Sequence, residues 1–133
     1  MSIQSPLLAV VDDDADVRIA LVRLAISAGY RVEGFATGAE FLLSHEHRAP
    51  DCVILDLHMP GLNGFDVQAA LRARHSEVPV IAITGHDTPE SRTRARELGA
   101  HEYLPKPVDF EALLAAVESA LGAADSDDRG TDS

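Results

Sequence analysis

Three carboxylates, one hydroxyl and one amine stand just past the carboxyl ends of apolar runs in this chain. Asp12 and Asp13 follow Leu7 to Val11, Asp56 follows Cys52 to Leu55, Thr84 closes Val78 to Ile83, and Lys106 comes shortly after Glu102 to Leu104. In an open parallel α/β sheet those ends share one edge, so residues far apart in sequence can meet in one pocket. Carboxylates so crowded repel one another unless a hard divalent cation joins them. Mg2+, held by one or two carboxylates with waters left over for a phosphate, answers that need. Three acids sum to −3, and Mg2+ with Lys106 supplies +3, so the resting pocket would be near neutral. The expectation is a phosphoryl-handling aspartate site.

The elements that must position these residues alternate strand and helix. Leu7 to Val11 is a short strand, β1, and Val17, Leu21, Leu24, Ala25 and Ala28 recur at helical spacing up to Gly29, giving α1. Arg31 to Phe35 reads as β2, and Thr37-Gly-Ala-Glu40 as a capping box opening α2 toward Ser44. Cys52 to Leu55 is a buried β3, and the loop Asp56 to Gly64 feeds α3, which ends about Arg74. Val78 to Thr84 gives β4. Thr88, Pro89 and Glu90 supply an N-cap, a proline at the first helical position and an early acid for α4, which ends at Gly99. Glu102 to Leu104 is a brief β5, and Phe110, Leu113, Leu114, Val117 and Leu121 line an amphipathic α5 that is expected to stop at Gly122. Such alternation predicts an α/β fold, a doubly wound five-stranded parallel sheet with helices on both faces. A closed eight-unit barrel would need far more chain.

At 133 residues the chain has room for one core, and 46% apolar content excludes global disorder. Residues 5–122 are expected to form the domain and 123–133 a disordered acidic tail. A formal net charge of −11 opposes binding to nucleic acid or to an anionic membrane. No apolar run approaches the ~20 residues of a membrane span, and no basic segment with a long apolar stretch opens the chain, so a cytoplasmic location is expected. Cys52 is the only cysteine and lies in an apolar run, which excludes an internal disulfide and points to a buried, inert thiol.

Blander readings compete at each position. Asp14 is better placed to cap α1 than to bind a metal. An EF-hand fails on spacing, because Val17 stands where its glycine belongs and Arg23 where its bidentate glutamate belongs. A strand-end acid usually caps a helix within a residue or two, whereas the helix after Asp56 starts about eight residues later. Gly85 suits a turn and would also clear space for a ligand beside the Thr84 hydroxyl. Lys106, set between Pro105 and Pro107, reads as a fixed counter-charge. His45-Glu46-His47 lacks zinc-motif spacing and reads as a polar loop, and His75 and His101 as surface residues.

Four segments in order carry a family resemblance: Val-Val-Asp-Asp-Asp (10 to 14), Leu-Asp-Leu-His-Met-Pro-Gly-Leu-Asn-Gly (55 to 64), Ile-Thr-Gly-His (83 to 86) and Tyr-Leu-Pro-Lys-Pro (103 to 107). From Leu7 to Leu121 the chain resembles the CheY-like receiver domains of two-component response regulators, and its Thr-Gly-His piece is similar to the FixJ branch. The resemblance implies a flavodoxin-like sheet of order 2-1-3-4-5 with its site at the β1/β3 switch point. It implies Asp56 as phosphoacceptor, Mg2+ bound by Asp13, Asp56 and the main-chain carbonyl of His58, and Asp12 assisting through water. Thr84 and Lys106 would contact the phosphoryl group, Tyr103 would be a switch aromatic moving with Thr84, and the Lys106-Pro107 bond would be cis. The side chains of His58 and His86 would flank the phosphoryl group as rate-tuning candidates.

The implied function is a single-domain response regulator, a phosphoacceptor rather than an enzyme. A sensor histidine kinase or histidine phosphotransfer protein would supply the phosphoryl group. Output would pass to a downstream protein target, by a monomer or by a phosphorylation-dependent dimer through α4, β5 and α5. The alternatives are a receiver excised from a longer DNA-binding regulator, a degenerate receiver that only binds partners, and an aspartyl-phosphate phosphohydrolase. The last wants an acid two residues after its nucleophile, where this chain has His58.

Overall fold

The computed structural model describes residues 5–130. Five parallel strands, β1 Leu7–Val11, β2 Arg31–Phe35, β3 Cys52–Asp56, β4 Val80–Thr84 and β5 Glu102–Pro105, form one sheet in the order β2-β1-β3-β4-β5. Five helices alternate with them: α1 Ala15–Ser27, α2 Gly38–His47, α3 Gly64–Ala73, α4 Pro89–Glu97 and α5 Phe110–Gly130. Chain order turns outward from β1 to β2 and then back across β1 to β3, so the crevice at the carboxyl ends of β1 and β3 is the switch point.

Strand periodicity builds the two layers. Leu8 and Val10 of β1, Cys52 and Ile54 of β3 and Ile81 and Ile83 of β4 face Leu21 and Ala25 of α1 and Leu113 and Val117 of α5. The intervening residues Ala9, Val11, Val53 and Leu55 face Phe41 of α2 and Val67 and Leu71 of α3. Both faces are covered, which is why the three inner strands are buried at every position. Each fully buried Leu, Ile or Val contributes roughly 1.5–3 kcal/mol, and together they fix the strand ends in space.

Local signals set the helix starts. The Asp14 carboxylate accepts from the Asp16 and Val17 amides, so it is spent as the α1 cap. Thr88 caps α4 with Pro89 at the first turn. Thr37 accepts from the Glu40 amide, but the Glu40 side chain meets the Thr37 hydroxyl, so the expected capping box is only half made. A full box, not anticipated, joins Asn63 and Asp66 at the start of α3.

Two further expectations fail. The last helix does not stop at Gly122 but runs to Gly130, through most of the segment expected as a tail; residues 131–133 lie outside the described residues. A lone glycine costs a helix only about 1 kcal/mol, and Ala123 and Ala124, strong helix formers, follow it. His45-Glu46-His47 is not a loop but the last turn of α2. His45 packs against Phe41 (centroids 6.0 Å apart), and its ring nitrogens meet Ser76 Oγ and an Arg74 Nη, each at 3.1 Å. Pro50, two residues after the Arg48 C-cap, bars further helix.

Candidate functional site

Asp12, Asp56, Thr84 and Lys106 meet at the carboxyl edge. The first carboxylate is carried one residue past β1, where its amide still donates to the Phe35 carbonyl (3.1 Å). Asp56 and Thr84 are the last residues of β3 and β4. The Lys106 amide donates to the Thr84 carbonyl (2.7 Å), and the Lys106-Pro107 bond is cis, as expected. After Asp56 the chain must turn back sharply: the Gly64 amide donates to the Leu57 carbonyl (3.1 Å). A Cβ on Gly64 would lie 2.5 Å from the Asp56 carbonyl oxygen, so only glycine fits there.

Lys106 Nζ lies 2.9 Å from Asp12 Oδ2 and 3.4 Å from Asp56 Oδ2, and both carboxylates are buried. Lys106 is the only lysine in the chain, every other permanent cation being arginine. A compact ammonium can sit between two carboxylates where a planar guanidinium would need a wider fork. The remaining oxygens take main-chain donors: Asp12 Oδ1 accepts from the Asp14 amide (2.9 Å) and Asp56 Oδ1 from the His58 amide (3.2 Å). Arg18, which sequence reading did not assign to the site, donates to the Asp12 carbonyl (2.8 Å) and braces the loop from the first turns of α1.

Burial first, and the Asp12 carboxylate second, push the Asp56 pKa up from 3.8 to about 7, against the opposing pull of the His58 amide and of Lys106. For Lys106, burial alone would lower the pKa, but contact with Asp12 and the charge of Asp56 outweigh it and raise the pKa. Burial, with His86 and Lys106 next, lowers the His58 pKa. These groups need another positive charge.

Oxygen atoms of Asp12, Asp13 and Asp56 lie within 4.8 Å of one another, Asp13 reaching in from an exposed position. Asp12 Oδ2 is buried with no hydrogen bond of good geometry, its one close polar neighbour being the Lys106 ammonium at 2.9 Å. A buried carboxylate oxygen left in that state suits a cation, and an all-oxygen donor set suits a hard one such as Mg2+. With three carboxylates and Lys106 the pocket carries −2, which a divalent ion neutralises.

The Thr84 hydroxyl, fully buried, accepts from the His86 amide (2.9 Å) and meets His58 Nδ1 at 2.8 Å. The centroids of the two imidazoles lie 4.8 Å apart, and the His58 and Phe65 rings stand near perpendicular with centroids 6.1 Å apart. Tyr103 points inward, 6% exposed, under the Arg92 guanidinium 5.2 Å above its ring. Arg92 is tied in turn to Asp87 at 3.2 Å. Burial first, and Asp87 next, raise the Tyr103 pKa. Cys52 is buried, and burial pushes its thiol to about 12, so it is chemically inert. His75 and His101 are exposed.

Fold and site together define an aspartate-centred α/β domain built around an acidic pocket at the carboxyl edge of its sheet. The family described as the response regulator receiver domain matches residues 8–118, and the chain belongs to that family. It is 38% identical over 112 residues to the DNA-binding transcriptional regulator NtrC of Escherichia coli, covering 84% of this chain and 24% of that protein. It is 39% identical over 119 residues to the transcriptional regulatory protein PrrA of Mycobacterium tuberculosis, covering 90% and 51%. The chain thus spans a quarter to a half of these relatives. Among solved structures, the Vibrio cholerae chemotaxis protein CheY4 superposes with a TM-score of 0.82 at 29% identity, covering 88% of this chain and 99% of that one. Receiver domains of two-component systems are phosphoacceptors that take phosphoryl groups from histidine kinases. Among the described residues no helix is long and apolar enough to cross a membrane.

Proposed function

We propose that this chain is a cytoplasmic, stand-alone response regulator that takes a phosphoryl group on Asp56 from a histidine kinase or histidine phosphotransfer protein. The observation that carries the reading is the junction of Asp12, Asp13 and Asp56 with the Lys106 ammonium 2.9 and 3.4 Å from the two buried carboxylates. Asp12, Asp13, Asp56 and the His58 carbonyl would hold Mg2+, which when bound supplies positive charge to the phosphoryl oxygens. An Asp56 carboxylate oxygen is the nucleophile: it forms a bond to phosphorus as the bond to the donor breaks, leaving an acyl phosphate. Lys106 offers a fixed positive charge and Thr84 a hydroxyl donor to the phosphoryl oxygens. Positioning and electrostatics do the work, with no general base required. Thr84 drawn toward the new anion would change the space open to Tyr103, a two-state switch biased by a local charge. Output would pass to a protein target through α4, β5 and α5, by the monomer or by a phosphorylation-dependent dimer. Incubation with acetyl phosphate, with Mg2+ or with EDTA, followed by intact mass measurement, tests the reading. Labelling that is equal in EDTA contradicts it.

The second reading, a receiver belonging to a longer DNA-binding regulator, is favoured by the short span of the chain against NtrC and PrrA. Under either reading this chain by itself will not bind DNA at physiological salt, phosphorylated or not. Its net charge is −11, and two arginines of α4 are engaged, Arg92 with Asp87 and Arg94 over the Phe65 ring. Fluorescence anisotropy with genomic fragments checks this. Salt-sensitive binding tighter than the ~10−4 to 10−6 M of non-specific contacts would refute it.

Loss of the phosphoryl group needs a water in line with the Asp56-phosphorus bond, and His58 and His86 stand beside the site. Exchanging both for alanine is expected to change the dephosphorylation rate several-fold, on the order of 1 kcal/mol in the barrier, while acceptance by Asp56 survives. Decay of labelled protein after donor removal, from pH 5.5 to 8, decides it. Superimposable curves would make both ordinary loop residues.

A further inference from the structure

The Thr84 hydroxyl has one proton to give and is fully buried. Its oxygen already accepts from the His86 amide at 2.9 Å, and the only other polar atom bonded to it among the described residues is His58 Nδ1, at 2.8 Å. A buried hydroxyl left without an acceptor is costly, so the arrangement that satisfies every group has Thr84 donating to an unprotonated Nδ1. The imidazole keeps two further neighbours beside that bond: its centroid lies 6.1 Å from that of Phe65, the rings near perpendicular, and 4.8 Å from that of His86. In the resting protein the hydroxyl is therefore aimed at His58 and not at the space beside Asp56.

We propose that His58 is a positioning residue that latches the switch: its imidazole holds the Thr84 proton at rest and must surrender it before Thr84 can serve a phosphoryl oxygen. The proposal rests on the phosphoacceptor reading above, and it assigns to the His58 side chain a role separate from its main-chain carbonyl. One hydrogen-bond acceptor is exchanged for another when the phosphoryl group arrives. Breaking the old bond opposes activation, so removing the acceptor should favour the active form, whereas removing a group that served the phosphoryl directly would do the reverse.

Leucine and asparagine at position 58 separate these possibilities, because they share a branched shape and differ in the acceptor oxygen that asparagine can place where Nδ1 stood. Beryllofluoride with Mg2+ serves as the phosphoryl mimic, its binding followed by fluorine NMR. His58→Leu is expected to bind it about five-fold more tightly than wild type, and His58→Asn to stay near wild type. Equal changes in the two variants would mean that only ring packing matters, and weaker binding by His58→Leu would mean that His58 serves the bound state; either overturns the latch. A second measurement needs no substitution. In long-range proton-nitrogen spectra of the wild-type protein, the His58 Nδ1 resonance should move toward that of a free acceptor when beryllofluoride binds, and an unmoved resonance with bound fluoride signals also overturns the latch. If the wild type itself binds no beryllofluoride and takes no label from acetyl phosphate, the phosphoacceptor reading falls first and the latch falls with it.

Discussion

Asparagine in place of Asp56 will leave the chain without detectable label from acetyl phosphate or a phosphorylated kinase, while the fold persists. Asp12 is the natural competitor, since it too is buried, too takes one main-chain amide, and lies closer to Lys106. What separates the two is their neighbours. Asp56 belongs to the central strand, paired on the β4 side with Ile83, so it is flanked by Asp12 on one side and Thr84 on the other. Asp12 has β2 on its far side, and the one hydroxyl just past that strand, Thr37, is engaged with Glu40 as the cap of α2. Only a group attached at 56 can reach the cation ligands, the ammonium and the hydroxyl together. The amide of asparagine preserves the shape but is no nucleophile, and the residual acceptance at Asp12 or Asp13 should be at background, a loss on the order of 10³ or more. Intact mass with and without Mg2+ measures it. Persistent label on Asp56→Asn, mapped to Asp12, would move the acceptor to β1.

The site was legible in sequence because its residues sit where hydropathy changes. Asp12, Asp56 and Thr84 each end a run buried on both faces, and parallel topology brings such ends to one edge without any knowledge of side-chain contacts. Lys106 was legible by the prolines around it. Asp14 was separable from its neighbours because cap chemistry has a fixed spacing from the first helical residues. What stayed hidden depends on distances between elements. Arg18 lies six residues past Asp12 on a helix returning along the strand, a signal that could have been used. The pairing of His58 with Thr84 joins a loop residue to a strand end 26 residues away, and nothing in their spacing specifies which rotamer points at which partner. Arg92 over Tyr103 is of the same kind.

Helix ends were the other blind spot. Gly122 looked like a stop because glycine often closes a helix, yet it does so by adopting positive φ after the last turn, as Gly29 and Gly99 do here at φ 96°. A helix interior tolerates glycine at modest cost when strong formers follow. His45 was misplaced for a related reason: a polar triplet says "solvent" but not "loop", and its partners Arg74 and Ser76 lie at the far end of α3.

In metal-free buffer the wild-type domain will lose stability as pH rises from about 4 to about 7, relative to Asp56→Asn, and Mg2+ will restore it. The folded protein holds the Asp56 proton up to about 7, whereas the unfolded chain releases it near the ordinary value of 3.8. Between those values the folded state binds more protons, so its contribution is fully present below 3.8 and is lost as pH passes through about 7. The upper bound is about 4 kcal/mol, three units at 1.36 kcal/mol each. His45 and His58, whose pKa values are lowered by burial, act in the opposite sense below about 6.5, since charging them favours the unfolded chain. Both histidines remain in Asp56→Asn, so the difference between the two proteins isolates the carboxylate. Its amide mimics the protonated acid, which places the two proteins together near pH 4 and sets the variant ahead at pH 8. A bound divalent cation favours the ionised carboxylate, so Mg2+ affinity should fall up to tenfold per pH unit below about 7. Urea titrations of both proteins at pH 4, 6 and 8, in EDTA and in Mg2+, measure every part of this. A stability gap that stays constant across pH in EDTA would show that Asp56 is ionised throughout and that Lys106 alone compensates the buried charge.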